Sequence, residues 1–187
     1  MTASSEAKEI TIVREFAAPR ELLWKVWTEP HHIEKWWGPK GFDTRVKKVE
    51  LSFGGRFVYV MTGPDGTEYP VSGKVIEIIP FEKIVSTDEF GDGEGNEHPG
   101  IDLPQGLIVT VVFEDLGGST RMTLTISHPT AGDRKKHEAM GVVAGWNSSF
   151  DKMDEYQHIL DFIRDNPGCS RGKIAAYTGM SPRHLTR

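Results

Sequence analysis

Residues 119–164 read STRMTLTISHPTAGDRKKHEAMGVVAGWNSSFDKMDEYQHILDFIR, and their hydrophobic period changes partway along. In the first part Met122, Leu124 and Ile126 alternate with Arg121, Thr123 and Thr125. A period of two describes a strand with one dry face and one wet face. From Gly132 or Asp133 onward, Met140, Val143, Trp146 or Asn147, Phe150, Met153 and Ile159 or Leu160 recur at spacings of three and four, the period of a helix with one apolar stripe. The spacing predicts a single helix ending near Arg164. At ~1.5 Å per residue such a helix is ~45 Å long. A rod of that length needs an extended partner, and the dry face of a sheet is the candidate.

Upstream, the sheet assembles from short alternating runs. Strands are expected at 9–16, about 42–49, 56–61, 69–79, 82–90, 106–114 and 119–128. Pro64-Asp65-Gly66 and Leu116-Gly117-Gly118 supply turns, because proline presets φ and glycine accepts positive φ. Between the first two strands, Pro19 suits the first turn of a helix. Leu22, Leu23, Val26 and Trp27 give that helix an apolar face. Pro30 ends it, and a second short helix runs through Ile33 to Trp37. The expected order is β-α-α-β(6)-α, an α+β helix-grip architecture in which a curved antiparallel sheet wraps the long C-terminal helix. Five Trp and nine Phe make the interior wide, so a ligand cavity between sheet and helix is natural.

Composition narrows the function classes. The chain has 187 residues and a net charge of −5, enough for one domain and a modest appendage. Its first residues contain no apolar core of a signal peptide, and no run approaches the ~18 apolar residues of a membrane span. Cys169 is the one cysteine, which excludes an intramolecular disulfide and fits a reducing cytoplasm. Residues 161–187 hold five Lys or Arg against two Asp, so the excess negative charge lies in the body. An acidic body disfavours nucleic acid as a partner.

Several motifs then appear in order: Pro19-Arg-Glu-Leu-Leu-Trp24, Trp27-Thr-Glu-Pro30, Trp36-Trp37-Gly38-Pro39, Gly54-Gly55-Arg-Phe57, Gly63-Pro-Asp-Gly66, Gly73-Lys-Val-Ile-Glu-Ile78 and Gly145-Trp146. The set resembles the activator-of-Hsp90-ATPase-homologue-like (AHSA1-like) group of the START/Bet v 1-type (SRPBCC) superfamily, over about residues 8–160. The resemblance implies the helix-grip fold and a hydrophobic cavity. The roles it implies are varied: binding or sequestering small apolar molecules, occasional catalysis, and chaperone co-factors linked to stress. Fold alone does not choose among them.

The expected cavity wall is built from Phe57, Tyr59 and Met61 on one strand face, with Val109, Val111 and Phe113, and Met122 and Leu124, on others. Met140, Trp146 and Phe150 from the helix form the opposite wall. Trp36 and Trp37 have two readings: an indole facing the ligand, or two rings pinning the short helices to the sheet. Tyr59 is the most informative, because a buried phenol needs a partner and a ligand oxygen is one. The primary reading is a protein that binds a small apolar ligand without catalysis or cofactor. The alternatives are a cavity enzyme of hydrolase, cyclase or dehydratase type, using His128, His137 or Tyr59 as acid or base, and an interaction protein. No catalytic group can be assigned from sequence.

Seven histidines invite a metal assignment, but no HxxxH or HExxH pair is present, and no metal site is expected. Residues 88–102 carry six carboxylates in a register unlike a calcium loop; a solvated loop over a cavity entrance is expected. The domain is expected over 8–163, with a disordered segment at 1–7 and a basic, helix-turn-helix-like extension at 164–187. In that extension Ser170 and Ser181 would cap short helices. The second helix has room for about six residues, which suits packing or homodimerisation better than reading DNA.

Overall fold

A computed structural model describes residues 8–91 and 104–165, together with Ser170 and Lys173. Strand β1 (Glu9–Phe16) leads to helices α1 (Arg20–Thr28) and α2 (Pro30–Trp36). Six strands follow: β2 (Asp43–Val49), β3 (Arg56–Thr62), β4 (Glu68–Ile79), β5 (Lys83–Phe90), β6 (Leu107–Asp115) and β7 (Thr120–Ser127). Helices α3 (Ala131–Ala139) and α4 (Val142–Asp165) close the domain. The strands form one antiparallel sheet in the order β1-β7-β6-β5-β4-β3-β2. It is the expected α+β helix-grip fold. No helix among the described residues is long and apolar enough to cross a membrane.

The alternation expected in β7 is realised residue by residue: Met122, Leu124 and Ile126 are buried while Arg121, Thr123 and Thr125 are partly exposed. The dry face continues through Val109, Val111 and Phe113 of β6. Against it pack Leu23, Trp24, Val26 and Trp27 of α1 and Phe150 and Met153 of α4. The register shifts between Val46 and Lys48 in β2 and between Val75 and Glu77 in β4; such bulges bend strands and raise their twist. Gly73 serves the same face differently. It pairs with Phe57 across β3 and β4, and a Cβ built on it would lie 2.3 Å from the Phe57 ring and 2.2 Å from the Thr87 carbonyl oxygen.

The long helix differs from expectation. It is two helices, broken at Gly141, whose φ is +86°. The α3 ladder closes with Met140 N–H on the Lys136 carbonyl and Gly141 N–H on that of Glu138. A left-handed residue after the last turn ends a helix, and glycine adopts it without Cβ strain. Met140 and Val143 therefore do not share one continuous apolar stripe. Pro30 also does more than stop α1, since it is the first residue of α2.

Candidate functional site

A cavity of about 350 Å³ opens between the sheet, the turn after α2 and the α3–α4 break. Trp37, Gly38 and Pro39 form one side, Val71, Asp88 and Phe90 the sheet side, and Met140, Gly141, Val142, Gly145 and Trp146 the helix side. A second void of about 40 Å³ lies deeper and shares Trp37, Asp88 and Trp146 with the first. The larger volume falls in the ~300–1,000 Å³ range of small-molecule sites.

The sequence-derived wall residues separate into three groups. Trp37, Met61, Met140 and Trp146 line the larger cavity, and Phe57, Tyr59, Val109 and Val111 join Trp37 and Trp146 around the smaller void. Trp36, Phe113, Met122, Leu124 and Phe150 border neither; all five are closed in the core. Trp36 donates its indole N–H to the Val26 carbonyl at 2.8 Å, which pins α2 to α1. The two adjacent tryptophans thus divide the two readings between them. Met140 sits at the α3 terminus and is 45% exposed, a rim residue rather than a wall.

Aromatic rings stiffen the walls. Trp146 stacks on Trp27 at 6.2 Å with an interplanar angle of 9°. Trp37 meets Trp146 edge-on at 5.2 Å and Tyr59 at 4.9 Å. Tyr59 in turn stacks on Phe57 at 5.1 Å, and burial pushes its phenol well above the usual value. The Trp37 segment is fixed from behind by Lys152 of α4. Its ammonium donates to the Trp37, Gly38 and Phe42 carbonyls at 3.3, 3.1 and 3.1 Å. Those three bonds use its three N–H donors, and burial lowers its pKa.

Three polar side chains face this apolar space; the Ser149 hydroxyl donates to the Gly145 carbonyl at 3.1 Å, which leaves Asp88 and His137. Asp88 belongs to the inner row of β5, after Ile84 and Ser86 and before Phe90. The residue as a whole is half-buried, yet its Oδ1 is sealed from solvent and has no hydrogen-bond partner among the described residues. Burial, aided by repulsion from Glu89, raises its pKa to about 7. On α3, His137 is 5% exposed. Burial, with a smaller contribution from His128, lowers its pKa to about 4.

A chain of hydrogen bonds fixes the tautomer of His137. His128 Nδ1 lies 2.9 Å from the Lys8 carbonyl oxygen, which can only accept, so that nitrogen carries a proton. In the neutral pair His128 Nε2 must then accept from His137 Nδ1–H, 3.0 Å away. His137 Nε2 is left with its lone pair. Both histidines are candidate bases of the cavity-enzyme reading, and the group that orients them is a backbone carbonyl at the start of the domain. Asp88 was grouped with the acidic loop, although the period of two in β5 places it on the dry face.

The histidines also form a second cluster. Ligand atoms of Glu29, His31 and His32 lie within 4.8 Å of one another at the α1–α2 junction. Residues at i, i+2 and i+3 meet because the chain turns there, a spacing different from the HxxxH pair of a metal-binding helix. His32 Nδ1 is 2.7 Å from the Tyr156 hydroxyl, while His31 is largely exposed. Residues 1–7, most of the acidic 88–102 segment and most of the 164–187 extension lie outside the described residues. Within the extension, Lys173 N–H points at the Ser170 carbonyl (3.0 Å) and hydroxyl (3.4 Å) oxygens.

A curved antiparallel sheet holding a long C-terminal helix defines a helix-grip protein of START/Bet v 1 type. Residues 17–158 match the family described as activator of Hsp90 ATPase homolog 1-like protein, and the chain belongs to that family. Among solved structures, it is similar to protein Ms6760 from Mycobacterium smegmatis, at 30% identity over 81% of this chain and 91% of that one, with a TM-score of 0.70. A protein from Arthrobacter aurescens is likewise 30% identical, covering 82% and 87% of the two chains, with a TM-score of 0.73. Protein NE0264 from Nitrosomonas europaea is 29% identical over 80% and 93%, with a TM-score of 0.65. Comparison with curated proteins finds no match.

Proposed function

We propose that this protein binds a small, largely apolar molecule in the cavity between its sheet and α4, without catalysing a reaction. The observation that carries the reading is the cavity of about 350 Å³ walled by Trp37, Phe90, Val142 and Trp146. Burying apolar ligand surface there is worth ~25 cal/mol per Å², and the interlocked rings pre-organise the wall. A cytoplasmic setting is part of the proposal, supported by the lone Cys169. Thermal-shift screening with apolar compounds tests it, because a ligand that binds only the folded state raises Tm by mass action. Trp37 and Trp146 should report the same event through their fluorescence. A panel that moves neither Tm nor emission would count against the reading.

A second reading, a cavity enzyme, is favoured by one observation: Asp88 and His137 titrate away from their ordinary values inside the same cavity. Displaced acid–base groups are frequent at catalytic sites. Product formation from a bound ligand, abolished in Asp88→Asn and His137→Gln, would establish it. The chaperone co-factor reading rests on the family resemblance alone, and the reading of a regulator with a DNA-contacting tail rests on the basic 164–187 extension.

A further inference from the structure

The polar end of the cavity has a definite hydrogen-bonding sense. Among the described residues lining the two voids, Asp88 is the one carboxylate and no lysine or arginine is present. Lys152, the nearby ammonium on α4, spends its three donors on backbone carbonyls. His137 Nδ1–H is engaged with His128, so what His137 has left is an acceptor. Asp88 lines both voids, and its carboxylate has no cationic partner among the described residues; its Oδ1 lacks a hydrogen-bond partner as well. When Asp88 is ionised, its carboxylate and the His137 acceptor border the larger cavity and, among the described residues, no lysine or arginine does. A buried carboxylate without a counter-charge is costly, and an incoming cation removes that cost.

We propose that the cavity selects apolar amines, whose ammonium donates to the Asp88 carboxylate and to His137 Nε2 while the hydrocarbon portion lies against Trp37, Phe90 and Trp146. The proposal rests on the ligand-binding reading above and gives the ligand its charge. An ammonium carries donors and no acceptor, the complement of these two groups. An anionic ligand would bring a second negative charge to Asp88, and no cationic side chain among the described lining residues offsets it. A neutral alcohol satisfies one acceptor and leaves the carboxylate uncompensated.

The test is a matched series: 4-phenylbutylamine, 4-phenylbutanol, 4-phenylbutyrate and butylbenzene, titrated calorimetrically into the full chain near neutral pH. The amine is expected to bind at least ~tenfold more tightly than the alcohol, a difference of ~1.4 kcal/mol, with the acid weakest of the three polar probes. In Asp88→Asn the amine's advantage over the alcohol is expected to vanish while butylbenzene still binds. Equal or tighter binding of the alcohol or the acid overturns the amine proposal and leaves the apolar-binding reading standing. So does an amine preference that survives in Asp88→Asn. Absence of binding by all four probes overturns both. The wild-type ranking decides the matter even if the variant does not fold.

Discussion

His137 Nδ1 lies 3.0 Å from His128 Nε2, and His128 Nδ1 lies 2.9 Å from the Lys8 carbonyl oxygen. A backbone group at the start of β1 thereby determines which nitrogen of a cavity histidine keeps its lone pair. Through this relay the edge of the sheet sets the chemistry of the site.

Asp88 and His137 should give this protein an unusually flat stability profile in mild acid. The Asp88 pKa in the fold, about 7, is above its ordinary value of 3.8. Its contribution is therefore complete below pH 3.8 and is lost as pH rises through 7. His137 at about 4 lies below its ordinary 6.5, so its contribution is complete above pH 6.5 and is lost as pH falls through 4. Between pH 4 and 6.5 the two slopes oppose each other. Urea melts across this window should show Asp88→Asn losing stability on acidification and His137→Phe gaining it. Parallel profiles for wild type and both variants would contradict the assignment.

Lys152→Met should destabilise the domain by ~1–3 kcal/mol, the cost of leaving buried carbonyls without a donor. For a chain of this size that is roughly 2–4 °C of Tm per kcal/mol. Because the orphaned carbonyls belong to Trp37, Gly38 and Phe42, the emission of Trp37 should change as well. An unchanged Tm would show that the Trp37 segment does not depend on α4.

Gly73→Ala should be among the most damaging small substitutions. Its Cβ would meet the Phe57 ring at 2.3 Å and the Thr87 carbonyl at 2.2 Å. The ring can turn but the carbonyl belongs to a strand, so β3, β4 and β5 must part locally. A loss of ~3 kcal/mol or more is expected by denaturant titration, at the large end for single substitutions.

Gly141→Ala places a Cβ at φ +86° with nothing within 4 Å of it. The penalty is then purely conformational, ~1–2 kcal/mol. A ligand that raises the Tm of the wild type should raise that of this variant less, since Gly141 borders the cavity. An alanine variant as stable as wild type would mean that α3 and α4 need no left-handed joint.

Strand boundaries were legible because one-sided burial imposes a period of two that survives in β1, β6 and β7. Helix α1 was legible through Pro19 and the spacing of Leu22, Leu23, Val26 and Trp27. The α3–α4 break was not, since apolar residues on both sides of Gly141 keep helical spacing and a lone glycine is tolerated inside helices. In the site, the strand-borne Phe57, Tyr59, Val109 and Val111 came from alternation. Phe113, Met122 and Leu124 share that alternation yet lie where α1 and α4 press on the sheet, and pattern alone does not distinguish a filled stretch from an open one. Asp88 was available to the same rule, but its neighbours Asp92 and Glu94 made it resemble a loop.

The sequence by itself determined the order of the elements up to the α3–α4 break, the face the strands turn inward and the family, because periodicity and turn chemistry are local properties. Where the helices leave the interior unfilled was decided by tertiary structure. The same holds for which of Trp36 and Trp37 meets the cavity, and for the ring nitrogen of His137 that stays free. Each depends on groups far apart in the chain: Lys152 on Trp37, Val26 on Trp36, and Lys8 acting through His128. Only packing brings them within hydrogen-bond reach.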